Sequence, residues 1–331
     1  VKAKLSIIAG FAVGALLLYF AFRGVDFRGL LNIYRTVRAV FIVPVVLTLL
    51  LEMTLRAARW RLLLNPSGKV RLWDTFRLQV AGLALSNILP LRLGEIARAT
   101  FGAGIFRIPV LTVLATIMVE RALDVLVLFM LFGAAVKFGG IGGLTGYSGL
   151  MWALFAGLLA AIAALIFSDE LIAHHWFAGF FARFPRLRGM FERVAMGVKG
   201  FHSFRGGALI MFLAVAQWLT SALNCWWIGL AFGLGATLDA FKCMALVFTG
   251  ALSASVPGMP GYFGNYEFAL TKVMLAWGVP RETGFAFATY IHVLGYLLVT
   301  VTGVIFIYQM GHSLGQVWDT FAGGRKEGAA R

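Results

Sequence analysis

The sequence predicts an all-α, polytopic membrane protein with about six transmembrane helices and two re-entrant hairpins, arranged as an inverted repeat. Three observations predict it. Of 331 residues, 60% are hydrophobic and 13% are charged, whereas a soluble domain carries about 25% charged residues. Six apolar runs approach or exceed the roughly 20 residues that a bilayer crossing takes. Two further apolar runs are too short to cross, and each ends in a break rich in proline and glycine.

The elements follow in chain order. The first run, 5–22, comes after Lys2 and Lys4. A secretory signal has the same charge and length, but no small-x-small cleavage site follows, so the run is expected to remain as a helix. Further spans are expected at 38–56, 109–136, 149–167, 208–233 and 284–310. Between them, the run 78–89 stops at Pro90 and Gly94 and resumes at 95–106. The run 244–256 stops in a turn containing Pro257, Pro260, Gly261 and Gly264 and resumes at 265–277. Arms of this length reach about 18–20 Å at 1.5 Å per residue, short of the roughly 30 Å hydrocarbon core. They read as hairpins with their tips inside the bilayer; two ordinary short loops between tilted helices are the alternative.

Charge orients the chain. With the N-terminus inside, the inner segments 1–4, 56–77, 168–207 and the tail carry 17 Lys and Arg, and the outer segments carry 8. This obeys the positive-inside rule, although Arg23, Arg28, Arg35 and Arg38 cluster outside. Both termini are expected on the cytoplasmic side of a bacterial inner membrane. The chain forms one membrane domain, 1–331, with a first repeat at 1–148 and a second at 149–331. Each repeat reads span, span, hairpin, span. The hairpins enter from opposite sides, as in many secondary transporters, whose sites lie at broken helices near the midplane.

The formal charge of +15 raises the possibility of nucleic acid, but basic loops at a cytoplasmic membrane face account for it, and no nucleic-acid partner is expected. Cys225 and Cys243 lie in apolar runs without metal spacing. No metal and no cofactor are expected. Residues 168–207 mix bulky aromatics with basic side chains. This pattern suits an interfacial amphipathic segment on an anionic bilayer surface, or a docking segment for a partner protein.

Three motifs carry the chemistry. Residues 86–99, SNILPLRLGEIARA, place Pro90, Gly94, Arg92, Glu95 and Arg98 between apolar runs. Broken backbone at membrane depth is tolerated only inside protein or against a water-filled cavity. A helix restarting after Gly94 presents unpaired N–H groups and a positive dipole end, which favour phosphate or carboxylate. Arg92 and Arg98 add planar guanidinium forks suited to phosphate oxygens. Glu95 satisfies the dipole as a structural cap paired with Arg98 at i+3, or faces a ligand; the two roles are compatible.

The second motif is MVERALDVL, 118–126. Glu120, Arg121 and Asp124 sit near the middle of a span, where charges are costly and face a cavity or each other. Glu120 and Asp124 share a helix face. They need a cationic partner in Arg121, Arg92 or Arg98, or one of them holds a proton. A purely structural ion-pair network fits the same residues. The third motif is SASVPGMPGYFGNYEFAL, 253–270. Its glycines and prolines allow sharp turning, and Asn265, Tyr266 and Glu267 supply polar groups. A plain extracellular turn is the simpler reading. His292 is read as a packing residue and left outside the site.

Taken together, RAARWRLLL (56–64), NILPLRLGEIARA (87–99), VERALD (119–124) and PGYFGNYE (260–267) resemble the signature blocks of the lysylphosphatidylglycerol synthase transmembrane-domain, or flippase-like, family. The blocks cover nearly the whole chain in the expected order. Carried over by position, the signature includes Arg59, Trp60, Asn87, Pro90, Arg92, Gly94, Glu95, Arg98, Glu120, Arg121, Asp124, Pro260, Gly261, Gly264 and Glu267. One departure is Tyr262, where the family has a second glycine; it narrows the turn's freedom.

The resemblance implies movement of lipids across the bilayer, such as aminoacylated phosphatidylglycerol or polyprenyl-linked sugars. The sequence ends about twenty residues after its last span. The cytosolic aminoacyl-transferase domain of the synthases is therefore not expected, nor is lipid synthesis by this chain alone. The expected activity is a flippase for a phospholipid or a polyprenyl- or glyco-lipid phosphate, with lipid-biosynthesis enzymes as possible partners. A membrane-embedded transferase acting on lipid phosphates and a scaffold for a biosynthetic complex are the alternatives. The candidate substrate-binding residues are Asn87, Arg92, Glu95, Arg98, Glu120, Arg121, Asp124, Asn265, Tyr266 and Glu267. Pro90, Gly94, Pro257, Pro260, Gly261 and Gly264 are candidate hinges.

Overall fold

The computed structural model describes residues 19, 26–89, 93–139, 156–157, 160, 183, 203–256 and 260–312. The expected span 149–167 and the run 5–22 lie almost wholly outside the described residues. So do most of the segment 168–207, the C-terminal tail, and the candidate residues Pro90, Arg92 and Pro257. The described residues are helical, with no strand among them.

Chain order gives α1 (Phe27–Thr36), α2 (Ile42–Leu64), α3 (Leu72–Ile88), α4 (Leu93–Phe106), α5 (Val110–Phe138), α6 (Phe204–Ala231), α7 (Ala240–Ser255), α8 (Asn265–Ala276) and α9 (Arg281–Gln309). Among the described residues, three helical stretches are long and apolar enough to cross a membrane: 39–67, which contains α2, together with α6 and α9. Their outer faces expose side chains such as Val43, Leu47, Phe212, Leu219, Leu297 and Val301, as a lipid-facing surface does. The chain is an integral membrane protein. At 29 residues, α5 would extend about 43 Å, long enough to cross; only Glu120, Arg121, Asp124 and Lys137 interrupt its apolar run.

One expected boundary is corrected. The stretch 56–64, assigned to a cytoplasmic loop, continues α2 by more than two turns, with Arg56, Arg59 and Trp60 buried. Arginine on a helix reads as an end signal only when it meets solvent, and these side chains find carboxylates inside the protein. Without Arg56 and Arg59 the Lys and Arg count of the expected inner segments falls from 17 to 15, still against 8 in the expected outer segments. The arginine-rich stretch after the first run is largely α1. Asp26 caps this amphipathic helix, accepting from the N–H groups of Arg28 and Gly29. Leu30 is buried against Phe285, while Arg28 and Arg35 lie on the open face.

Both expected breaks are present. α3 stops at Ile88 and α4 starts at Leu93; α7 stops at Ser255 and α8 starts at Asn265, after a tight turn at Pro260–Tyr262. The arms extend about 25, 21, 24 and 18 Å in chain order. In the first pair the arms cross closely: a Cβ on Gly94 would overlap the Gly82 carbonyl oxygen and Ser86.

Most helix contacts survive exchanging α2, α3, α4 and α5 for α6, α7, α8 and α9; the exception is α5–α6, which has no equally close counterpart in α2–α9. α2 packs on α6, its own counterpart. α3 packs on α9 as α7 packs on α5, and α4 on α5 as α8 on α9. The contacts α2–α3, α3–α4 and α2–α5 are likewise matched by α6–α7, α7–α8 and α6–α9. The turn 260–262 of the second break reaches over to α3 of the first, so the two breaks face a common interior.

Candidate functional site

An ion-pair network is built on the face of α5 that carries Glu120 and Asp124. Arg59 comes from α2, with Nη1 2.8 Å from Asp124 and Nη2 3.5 Å from Glu120. Arg98 comes from α4, 3.0 Å from Glu120. It also donates to the Gln79 side chain of α3 and lies over the Trp60 ring at 4.5 Å. Trp60 donates to Thr116, and Trp218 of α6 donates to Asp124 at 3.1 Å. Arg121 lies 2.7 Å from Glu120 and 3.1 Å from Asp124. Breaking one such contact leaves a charge without its partner in a low-dielectric interior, which is strongly destabilising.

One edge of the network is open. Arg121 and Glu95 retain 34% and 36% of their side-chain exposure and face each other at 3.7 Å. They line a cavity of about 400 Å³ with Arg98, Ser86, Gly94 and Tyr262. A second cavity of about 320 Å³ adjoins it, lined by Glu52, Asn87, Asn224, Tyr266 and His292. Arg56, Leu83, Trp218, Ala251, Ala254 and Tyr262 border both. Arg56 stands on this divide, paired with Glu52 at 2.9 Å and lying over the Trp218 ring at 5.1 Å.

The second cavity meets the second break. Glu267 accepts from the Gly264 N–H at 2.7 Å and closes the first turn of α8. Its other oxygen lies 2.6 Å from Nδ1 of His292 in α9, and Nε2 of that ring lies 2.7 Å from the Gly261 carbonyl oxygen. Phe263 stacks on the imidazole. Gly261 has φ +72°, and a Cβ there would meet the Tyr296 ring at 2.6 Å, so the turn needs glycine for both conformation and space. Tyr262 follows at φ +62°, in the left-handed region where a side chain costs about 1–2 kcal/mol. The backbone at Tyr262 thus keeps a glycine-like conformation while its ring walls both cavities.

The structure brings Glu95, Arg98, Glu120, Arg121 and Asp124 together at the first cavity. Glu120, Arg98 and Asp124 are engaged in the protein's own ion pairs. Glu95 pairs with Arg121 on α5; the pairing anticipated with Arg98 is replaced, because Arg98 turns to Glu120 and Gln79. Asn87 and Tyr266 line the second cavity, and Asn87 donates to Thr300. Asn265 donates to the Val256 carbonyl and so ties the break together. Sequence reasoning missed Glu52, Arg56, Gln79, Trp218 and His292. For Glu52 and Arg56 a signal existed: an i, i+4 acid–base pair inside an apolar run. For Gln79 and Trp218 none did.

Comparison with known proteins adds a family context. The family model for the lysylphosphatidylglycerol synthase TM region matches residues 7–303. A UPF0104 membrane protein of Methanothermobacter thermautotrophicus is 25% identical over 305 residues, covering 82% of this chain and 86% of that one. A second UPF0104 membrane protein, from Methanocaldococcus jannaschii, is 24% identical over 286 residues, covering 80% and 82%. No solved structure matches the chain.

Proposed function

The chain belongs to the lysylphosphatidylglycerol synthase TM region family, and from that premise we propose that it moves a phospholipid, or a polyprenyl- or glyco-lipid phosphate, across the bilayer through a site between two broken helices. The observation that carries this reading is the Arg121–Glu95 pair. It is the open edge of an otherwise sealed charge network, at a helix break, facing a cavity of about 400 Å³.

Arg56, Arg59, Arg98 and Arg121 are balanced by Glu52, Glu95, Glu120 and Asp124. A phosphate entering the cavity therefore competes with a carboxylate for a guanidinium. The pair at 3.7 Å is the longest in the set and the most exposed, so it yields first. Arg121 then takes phosphate oxygens with its planar fork. Glu95, released, meets an ammonium or sugar hydroxyl of the same headgroup. The acyl or prenyl tails stay in the bilayer, and no bond is made or broken, so the protein acts as a transporter and not as an enzyme.

The same reading sets the topology as six spans and two opposed re-entrant hairpins in a cytoplasmic membrane, with both termini inside. The short arms at each break and the helix contacts that survive exchange of the halves support an inverted repeat. The basic cytoplasmic loops would rest on anionic lipid, and lipid-biosynthesis enzymes are the partners such a transporter would serve.

The test uses the purified chain in proteoliposomes carrying fluorescent-tailed phosphatidylglycerol in one leaflet. Transbilayer movement with the lipid chemically unchanged and no partner present is the expected result. Chemical conversion of the lipid points to a transferase. Movement no faster than in empty vesicles, for this probe and for a polyprenyl phosphate, overturns the reading.

A further inference from the structure

We propose that Glu267 and His292 form a proton-binding site at the second helix break, and that the bound proton latches the break to the last helix. The inference rests on the transport reading for what the proton drives, not for where it binds.

Hydrogen-bond bookkeeping carries it. The Gly261 carbonyl oxygen, 2.7 Å from Nε2 of His292, can only accept, so Nε2 bears a proton. Nδ1 lies 2.6 Å from a Glu267 oxygen. A neutral imidazole already protonated at Nε2 has a bare lone pair at Nδ1. Set against an ionised carboxylate at that distance, two acceptors would face each other. The contact holds only when one more proton lies between them, either on Nδ1 as an imidazolium or on the Glu267 carboxyl. The arrangement thus contains one proton beyond neutral histidine plus carboxylate.

Burial points the same way. The side chains are 11% and 2% exposed. With the extra proton the pair is neutral overall; without it, a net negative charge is left in the interior, which is costly. The surroundings supply no other compensating charge among the described residues. From α2, Glu52 and Arg56 face the site across the second cavity, paired to each other. From α8 come the Tyr266 ring and, beyond it, Lys272 over Phe268. The 260–263 turn contributes Tyr262, and α9 itself Tyr296, while Tyr290 turns to Phe232; Tyr34 of α1 donates to the Ala286 carbonyl. The residues that α3, α6 and α7 contribute to the cavity wall are uncharged.

The proton is mechanically placed. His292 ties α9 to the Gly261 carbonyl on one side and to the cap of α8 on the other. The same turn packs on α3 of the first break, and His292 lines the second cavity. Loss of the proton turns the Nδ1 contact repulsive, frees the ring from Glu267, and uncouples α9 from the cap of α8, while Nε2 keeps its bond to the Gly261 carbonyl. Glu267 keeps its hydrogen bond to Gly264, so α8 stays capped while the latch opens.

The experiment uses the full chain in detergent micelles at neutral pH, labelled with ¹⁵N-histidine. His174, His175, His202 and His312 are replaced by glutamine so that His292 reports alone. The expected result is N–H on both ring nitrogens, or N–H on one together with a carboxylic-acid infrared band that Glu267→Gln abolishes. A single ring N–H with an ionised Glu267 overturns the proposal. In proteoliposomes with the fluorescent-tailed lipid, an imposed pH difference is expected to bias the final leaflet distribution, and Glu267→Gln and His292→Gln to lose that bias. Lipid movement that ignores the gradient in the parent chain overturns the coupling role. If no lipid probe moves in any preparation, the transport reading fails, and the proton count on His292 still decides the proton site.

Discussion

Nη1 of Arg59 lies 2.8 Å from Oδ1 of Asp124, joining the C-terminal part of α2 to the middle of α5 with both side chains sealed from water. Replacing Arg59 by Ala leaves Asp124 and Glu120 short of a cation where no water can substitute. Breaking a buried pair this way costs about 3–5 kcal/mol. The expected outcome is a large fall in melting temperature and poor recovery of folded protein. Adding Asp124→Asn to Arg59→Ala restores charge balance and should regain part of the loss. A melting temperature for Arg59→Ala equal to the parent's would show that Arg98 and Arg121 carry the network alone.

Arg121 is placed to give the opposite result. Its side chain is one-third exposed, so solvent screens part of any lost pairing. Arg121→Lys keeps the charge and loses the fork. A lost charge-assisted hydrogen bond is worth about 1.5–3 kcal/mol, so lipid movement should fall roughly ten- to a hundredfold with little change in melting temperature. Glu95→Gln removes one of the three carboxylates that hold Arg121, the one on the cavity side, and should tighten binding of a phosphate-bearing probe. Equal transport in both variants, with a lowered melting point in Glu95→Gln, would make this pair a structural clasp.

The contrast between these two arginines also marks what the sequence could disclose. Breaks in apolar runs are local signals, and Pro90, Gly94 and the 257–264 turn announce both of them. Glu120 and Asp124 are equally legible, because charge inside a span demands an explanation. Which cation answers which carboxylate is a matter of tertiary distance. Arg59 comes from 61 positions before Glu120 and reads locally as the start of a basic loop; only family resemblance brought it forward. His292 lies in a long apolar run with no pattern around it. Its partners appear only once the chain returns the Gly261 carbonyl and Glu267 to either side of its ring.

Gly94 is required by space. A Cβ there would run into the Gly82 carbonyl and Ser86 on α3, and backbone does not give way as a flexible side chain does. Gly94→Ala should separate the arms of the first break, costing about 1–3 kcal/mol or more as overpacking, and should distort the cavity beside Glu95. Gly104, on the same helix, has open space where a Cβ would stand, with nothing within 4 Å. Gly104→Ala should therefore be neutral or add about 0.5–1 kcal/mol through helix propensity. Thermal melting of the two variants side by side tests this, and equal stability would mean that the arms do not meet as described.

The proposed topology predicts which side of the membrane each turn faces. α3 and α4 are about 25 and 21 Å long, and α7 and α8 about 24 and 18 Å, each short of a roughly 30 Å core. Each pair would therefore enter and leave on one face. In that topology Lys69, before α3, and Pro109, after α4, would lie on the cytoplasmic side, and Ala236, before α7, and Pro280, after α8, on the opposite side. All four positions are exposed. Single cysteines at these positions, in a chain with Cys225 and Cys243 replaced by alanine, are treated with a membrane-impermeant thiol reagent in sealed vesicles of known orientation. Lys69→Cys and Pro109→Cys should react only from inside, and Ala236→Cys and Pro280→Cys only from outside. If Lys69→Cys and Ala236→Cys react from the same side, the halves are not inverted and the shared packing pattern needs another origin. The break itself gives the sharper discrimination. A cysteine at Ile88, the last residue of α3, should react slowly and through the cavity if the tip lies within the bilayer. Labelling from outside as fast as that of Ala236→Cys would mean that α3 crosses completely, and the re-entrant reading would fall.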